Sequence, residues 1–128
     1  MDARSTVKEY YDALRAGDPL APYFAEEHDG DDAFVKFGIS ERLTGSEQIQ
    51  TGLRAQTETT AEWTVTSHAL RVSERGTHAW FSDSVSMEWT STESGDRHEF
   101  DTRWSGTLTE SSNRWQFVGM HVSTADEL

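Results

Sequence analysis

The sequence predicts an α+β fold, with helices in the first half and an antiparallel meander in the second. Three observations carry this: apolar residues at helical spacing near the start, period-two alternation from Trp63 onward, and short polar turns between the alternating runs. Asp2 can cap a first helix running to about Ala16, whose apolar face holds Val7, Tyr10, Tyr11 and Leu14 at i, i+3, i+4, i+7. Gly17 ends it, and Asp18-Pro19 opens a short second helix through Tyr23 or Phe24. The acidic stretch Glu26 to Asp32 reads as a loop. Ala33 to Ser40 reads as a strand alternating Phe34 and Lys36 against Val35 and Phe37, with Leu43-Thr44 as a second, short one. Ser46 then caps a third helix to about Glu58, with Ile49 and Leu53 inward. The remaining strands are expected over Trp63 to Ser73, Ala79 to Ser91, Arg97 to Glu110 and Arg114 to Ser123, turning at Gly76, Gly95-Asp96 and Ser112-Asn113. Hairpins of this kind join antiparallel neighbours.

A chain of 128 residues without a linker or internal repeat is expected to form one domain over residues 1–128. It carries 23 acidic and 11 basic residues, a formal net charge of -12. Such a surface repels phosphate backbones and anionic lipids, which disfavours nucleic acid and membranes as partners. Only Lys8 and Lys36 are lysines; acidic excess with few lysines and many Ser and Thr resembles proteins of salt-loving organisms. In molar salt the Debye length falls to ~3 Å and screens the self-repulsion. No apolar run approaches the ~18 residues a membrane helix needs and no signal segment follows Met1, so a cytoplasmic protein is expected. Cysteine is absent, which removes disulfides and thiolate chemistry, and the five histidines show no metal-ligand spacing, so no metal or cofactor is expected.

The last two strands hold the richest chemistry. Alternation places Trp115, Phe117, Gly119, His121 and Ser123 on one row. Closing the hairpin symmetrically about Ser112 puts Arg103 opposite His121 and Ser105 opposite Gly119. A cation, an imidazole and a hydroxyl beside two aromatic rings suit a pocket wall. In the strand from Ala79, the apolar row Ala79, Phe81, Val85, Met87, Trp89 is interrupted by Asp83. A carboxylate there requires a partner or a raised pKa, so it is expected either to pair with Arg103 or to act as a general base.

These residues carry a resemblance. Trp115-x-Phe117-x-x-x-His121-x-Ser123, preceded by Arg103-x-Ser105, resembles the C-terminal signature of the SnoaL-like branch of the nuclear transport factor 2-like superfamily. Gly38-x-x-Glu41-x-x-x-Gly45, Gly76-Thr77-His78-Ala79-Trp80 and a first helix with Tyr10 and Tyr11 agree in order. The resemblance implies the cystatin-like α+β cone: a strongly curved antiparallel sheet wrapped around N-terminal helices and open at one end. The fold hosts isomerases, cyclases, dehydratases and binding modules, so it implies no single activity.

The leading expectation is a binding module whose cone holds a small apolar or weakly anionic ligand over Arg103, Ser105, Trp115, Phe117, Tyr10 and Tyr11. The enzyme alternative is a cofactor-free isomerase, cyclase or dehydratase acting next to a carbonyl, with His121 or Asp83 moving the proton and a tyrosine or Arg103 holding the oxyanion. A third class is an interaction domain whose cavity is filled by its own aromatics. Glu41 is expected at the cavity mouth or in a salt bridge near the third helix. With the Trp115 row inside, Trp104, Leu108, Val118, Met120 and Val122 face outward, and a homodimer through the convex sheet face is expected to cover them.

Overall fold

The computed structural model describes residues 2–26 and 34–126. The acidic segment expected as a loop lies, from residue 27 to 32, outside the described residues. The elements are α1 (Ala3–Ala16), a 3-10 turn (Ala21–Tyr23), β1 (Val35–Phe37), β2 (Arg42–Thr44), α2 (Ser46–Thr59), β3 (Thr60–Ser67), β4 (Arg71–Arg75), β5 (His78–Ser91), β6 (Arg97–Ser111) and β7 (Arg114–Thr124). The strands form one sheet in the order β2-β1-β7-β6-β5-β3, with β4 also paired to β5. All neighbours are antiparallel except β1 and β7, which run parallel, so the sheet is mixed.

The helix α1 begins where expected, with the Asp2 carboxylate accepting from the Ser5 N–H at 2.8 Å. It ends at Gly17, whose φ of 72° only glycine adopts without cost, and the Asp18 N–H closes on the Ala13 carbonyl. Its buried side, including Val7, Tyr10, Tyr11 and Leu14, lies against the sheet. Arg15 donates two hydrogen bonds to the Val65 carbonyl, at 3.0 and 2.6 Å, and Glu74 accepts from the Ala3 N–H, so the helix bridges β3 and β4. The expected second helix is only the 3-10 turn, and α2 is preceded by Gly45 at φ 84°, not capped by Ser46.

The expected strand Trp63 to Ser73 is in fact two strands laid along one edge of β5. Ser67 pairs with Val85 in β3, and Arg71 resumes pairing opposite Ser82 in β4. Between them the chain turns about the Asp83 carboxylate, which accepts from the Ala69 N–H at 2.9 Å and the Ser67 hydroxyl at 2.5 Å. The backbone leaves the ladder here, and a side-chain acceptor takes the place of the missing carbonyl.

The last hairpin corrects the expected register and, with it, the faces. Ser111 pairs with Arg114 around Ser112 and Asn113, both at positive φ, a two-residue turn of the type that matches strand twist. Six residues along, a β-bulge puts Thr107 opposite Gly119 but Leu108 opposite Phe117, leaving Val118 unpaired. Each feature moves the register by one. Ser105 therefore faces His121, and Arg103 faces Ser123. The extra residue also reverses alternation: Trp115 and Phe117 point inward, and beyond the bulge Met120 and Val122 do. His121 is exposed on the outer face. Gly106 makes the close approach possible, because a Cβ there would lie 2.4 Å from the Gly119 carbonyl oxygen.

This reversal places Trp104, Leu108, Met120 and Val122 in the core, each 5% exposed or less, with Val118 half-buried. The apolar row that argued for a homodimer through the convex face is the interior of the cone, and that ground for a second copy is withdrawn.

Candidate functional site

The cone's open end holds a cavity of about 600 Å3, within the range of small-molecule sites. Its deep wall is made by Tyr10 of α1, Trp104, Met87 and Met120, and its rim by α2 and the β1–β2 turn. One side is an aromatic stack. Trp89 lies over Trp63 at 4.9 Å and 22°, and His98 stacks on it at 5.3 Å, with Phe100 adjoining at 5.6 Å. A bulge in β3 between Ala61 and Thr64 brings Trp63 to this position, and Glu62 there has φ 55°. A non-glycine residue held in that region is strained, and Arg97 restrains it by donating to the Glu62 carbonyl at 2.6 Å.

Into this apolar surface the short strand β1 projects Lys36, 5% exposed and facing Met120 across the sheet. Its ammonium forms an ion pair with Glu41. The turn explains the pairing: the Gly38 N–H donates to the Glu41 carbonyl at 3.1 Å, and a Cβ on Gly38 would lie 2.6 Å from the Glu41 side chain. Gly38 thus leaves the space in which Glu41 folds back onto Lys36. Glu41 lines the cavity as expected; the alternative, a cap or salt bridge near the third helix, is replaced by a salt bridge to Lys36 of β1.

The residues singled out from the sequence do not converge on the cone cavity. Tyr10 lines the cavity. Tyr11 donates to the Asp83 carboxylate at 2.9 Å, in the core, so Asp83 pairs with a phenol, a hydroxyl and an amide and not with Arg103. Trp115 and Phe117 are core residues; Phe117 packs on Tyr10 at 5.3 Å and on Phe24 at 5.4 Å. Arg103, Ser105 and His121 do border one depression with Asp83, but it opens on the outer face of the sheet and not on the concave side, and the Asp83 carboxylate turns inward from it to Tyr11. Sequence reasoning missed Lys36, Trp63, Trp89 and His98. The apolar row of β5 already ended in Trp89, but closing the hairpin at Gly95-Asp96 would have set Thr102 opposite it; the strands instead turn about Glu93-Ser94, which brings His98 there.

Burial raises the pKa of both Tyr10 and Tyr11 well above the usual phenol value, helped at Tyr10 by Glu41 and at Tyr11 by Asp83. Both phenols are therefore neutral, and Tyr11 is a donor. The native state keeps two protons that the unfolded chain releases near pH 10, so stability is intact below pH 10 and falls above it. The slope expected is about 1.4 kcal/mol per pH unit for each tyrosine. Urea unfolding between pH 9 and 11.5 measures it; a midpoint that stays level across that range contradicts the burial of these two rings.

The sequence matches the SnoaL-like domain over residues 3–127. The chain belongs to this family. Solved structures are similar over nearly the whole chain: a candidate dehydratase of the nuclear transport factor 2-like family from Streptomyces avermitilis has a TM-score of 0.83 at 14% identity, covering 97% of this chain and 94% of its own. A candidate scytalone dehydratase from Novosphingobium aromaticivorans gives 0.79 at 14%, covering 96% and 81%. A ketosteroid isomerase-like protein from Erwinia carotovora atroseptica gives 0.74 at 14%, covering 97% and 94%. At these identities the likeness shows the fold. A search of curated proteins finds no match. Within this SnoaL-like domain the curved sheet encloses the cavity that Lys36, Glu41 and the Trp63–Trp89 stack line.

Proposed function

We propose that the protein binds a small planar, largely apolar molecule in the cone cavity, held between the Trp63–Trp89 stack and the Lys36–Glu41 pair. The observation that carries this reading is an ion pair between a buried lysine and a half-buried glutamate in a mostly apolar wall, whose other polar side chains are Ser40, Gln56, Thr59, Thr60 and His98. Taking an ammonium out of water costs several kcal/mol, and well-packed apolar residues in its place are often as stable or more so. Its presence is better explained by a ligand than by stability. Lys36 has further N–H donors and Glu41 a second oxygen, so the pair offers a donor and an acceptor side by side. A phenol, enol or carbonyl at the edge of an aromatic ring meets both. The open volume of about 600 Å3 favours this reading over an interaction domain packed with its own aromatics.

A neutral probe of this class is 2-naphthol, titrated by calorimetry. Trp63→Ala is expected to weaken its binding about tenfold, the loss of the end ring of the stack, and with it one stacking face, being worth on the order of 1–1.5 kcal/mol. Equal affinity in the variant would remove the stack from the site.

A second reading has the same cavity catalyse proton transfer next to a carbonyl. What favours it is the adjacency of a fixed cation and a carboxylate: Glu41 would take the proton from the carbon beside the carbonyl, and Lys36 would hold the enolate oxygen until the proton returns. His121 and Asp83 are then not the base. Deuterium exchange at that carbon of a cyclic ketone, lost in Glu41→Gln, is the test; exchange no faster than in buffer leaves a binding protein.

A further inference from the structure

Away from the cone cavity, and independently of it, the outer face of the sheet carries a second constellation. The register aligns Arg71, Ser82, Ser105 and His121 as one rung across β4, β5, β6 and β7. The neighbouring rung is Ser84, Arg103, Ser123. Both rungs point away from α1, and together they line a shallow trough of about 420 Å3. Serine is not among the residues that favour strands, yet four line this trough. Their short side chains leave its floor open and supply hydroxyl donors between the two guanidiniums.

The charge of the trough runs against that of the molecule. The chain has 23 acidic residues for 11 basic ones, so an arginine has carboxylates to choose from. Arg15, Lys36 and Arg97 do pair with Asp12, Glu41 and Glu88. Among the described residues, Arg71 and Arg103, like Arg4, Arg42 and Arg54, have neither a carboxylate nor a hydrogen-bond partner; what sets these two apart is that they border one trough. Asp83 also borders the trough, but its carboxylate is taken by Tyr11, Ser67 and the Ala69 amide, and the acidic groups of the outer face are displaced along the strands: Asp101 on the next rung accepts from Ser86 at 2.9 Å, and Glu88 and Glu99 face each other beyond it. Two unpaired guanidinium forks, four hydroxyls and an imidazole in one trough match the geometry of an oxyanion, which arginine binds through paired N–H groups.

From this we infer that the outer trough is a binding site for the phosphate or carboxylate end of a small metabolite, with Arg71 and Arg103 as its charge partners and Ser82, Ser84 and Ser105 as hydroxyl donors. An anion there also cancels the local repulsion of two arginines held on one sheet face.

The test is a titration of the whole protein with sodium phosphate and, separately, sodium acetate, against sodium chloride at matched ionic strength, followed by backbone amide shifts. Saturable shifts at Ser82, Ser84, Ser105 and His121 with phosphate alone assign a phosphate-bearing ligand, and equal saturation by acetate assigns a carboxylate. The double substitution Arg71→Gln, Arg103→Gln, at two exposed positions that leave the core untouched, should weaken binding at least tenfold. Shifts that follow ionic strength alone, or affinity unchanged in the double variant, overturn the assignment. So does light scattering that finds a dimer converted to monomer by the double variant, because the face is then a protein interface.

Discussion

Met120→Glu should destabilise the protein by about 4 kcal/mol or more. Met120 is 2% exposed and lies on the inner row beside Val122, facing Lys36 across the β1–β7 pairing. A carboxylate there loses its hydration in a space sized for a thioether, a substitution of the class that costs about 4 kcal/mol or more. Against a stability of roughly 5–15 kcal/mol this removes a quarter of the total at the upper end and most of it at the lower. Lys36 is already committed to Glu41, so it offers only partial compensation. The substitution also separates the two readings of the last strand. Were strict alternation to hold through Val118, Met120 would face solvent and the variant would keep its stability. Circular dichroism at 25 °C with a urea titration decides between them: a native-like midpoint contradicts the bulge.

Asp83→Ala is expected to be nearly as damaging, by about 4 kcal/mol, although one carboxylate in a row of apolar residues looks expendable. Three donors converge on it, from α1, from the end of β3 and from the backbone between β3 and β4. Each bond to a charged acceptor contributes about 1.5–3 kcal/mol, and removing the acceptor leaves the Tyr11 hydroxyl and the Ala69 amide without a partner. Asp83→Asn keeps one acceptor oxygen but turns an N–H toward donors, so its cost should fall between wild type and alanine. A general base that happened to be buried would behave differently: its removal would abolish turnover with little change in midpoint. Measuring both quantities on the same preparation distinguishes a structural carboxylate from a catalytic one.

The fold was legible because its determinants are local. The Asp2 cap, Gly17, the helical spacing of Val7, Tyr10, Tyr11 and Leu14, and the strand alternation from Ala79 each act within a few residues, and all appear where expected. The candidate site was not, because it depends on two departures from regular pairing. The extra residue at Val118 carries no sequence mark beyond the nearby Gly119, yet it exchanges the faces of everything after it, taking His121 out and Met120 in. The break between β3 and β4 similarly hid the reason for Asp83, since nothing in an alternating run from Trp63 to Ser73 shows that its amides will need a side-chain acceptor. Lys36 was placed on the row with Phe34, and only the tertiary fold makes that row the inner one. A lysine on a three-residue strand gives no inward signal of its own.

The cone cavity as the ligand site is the central claim, and the five tryptophans report on it separately. Trp63 and Trp89 stack at the cavity, Trp104 forms its deep wall, Trp115 is in the core outside it, and Trp80 is 51% exposed on the outer face beneath Arg75. Proton–nitrogen correlation spectra of the five indole N–H groups, recorded while 2-naphthol is added, read all of these positions in one experiment. Binding in the cone predicts saturable shifts of the Trp63 and Trp89 signals, a smaller shift at Trp104, and none at Trp80 or Trp115. Shifts confined to Trp80, or five signals that do not move, would contradict it.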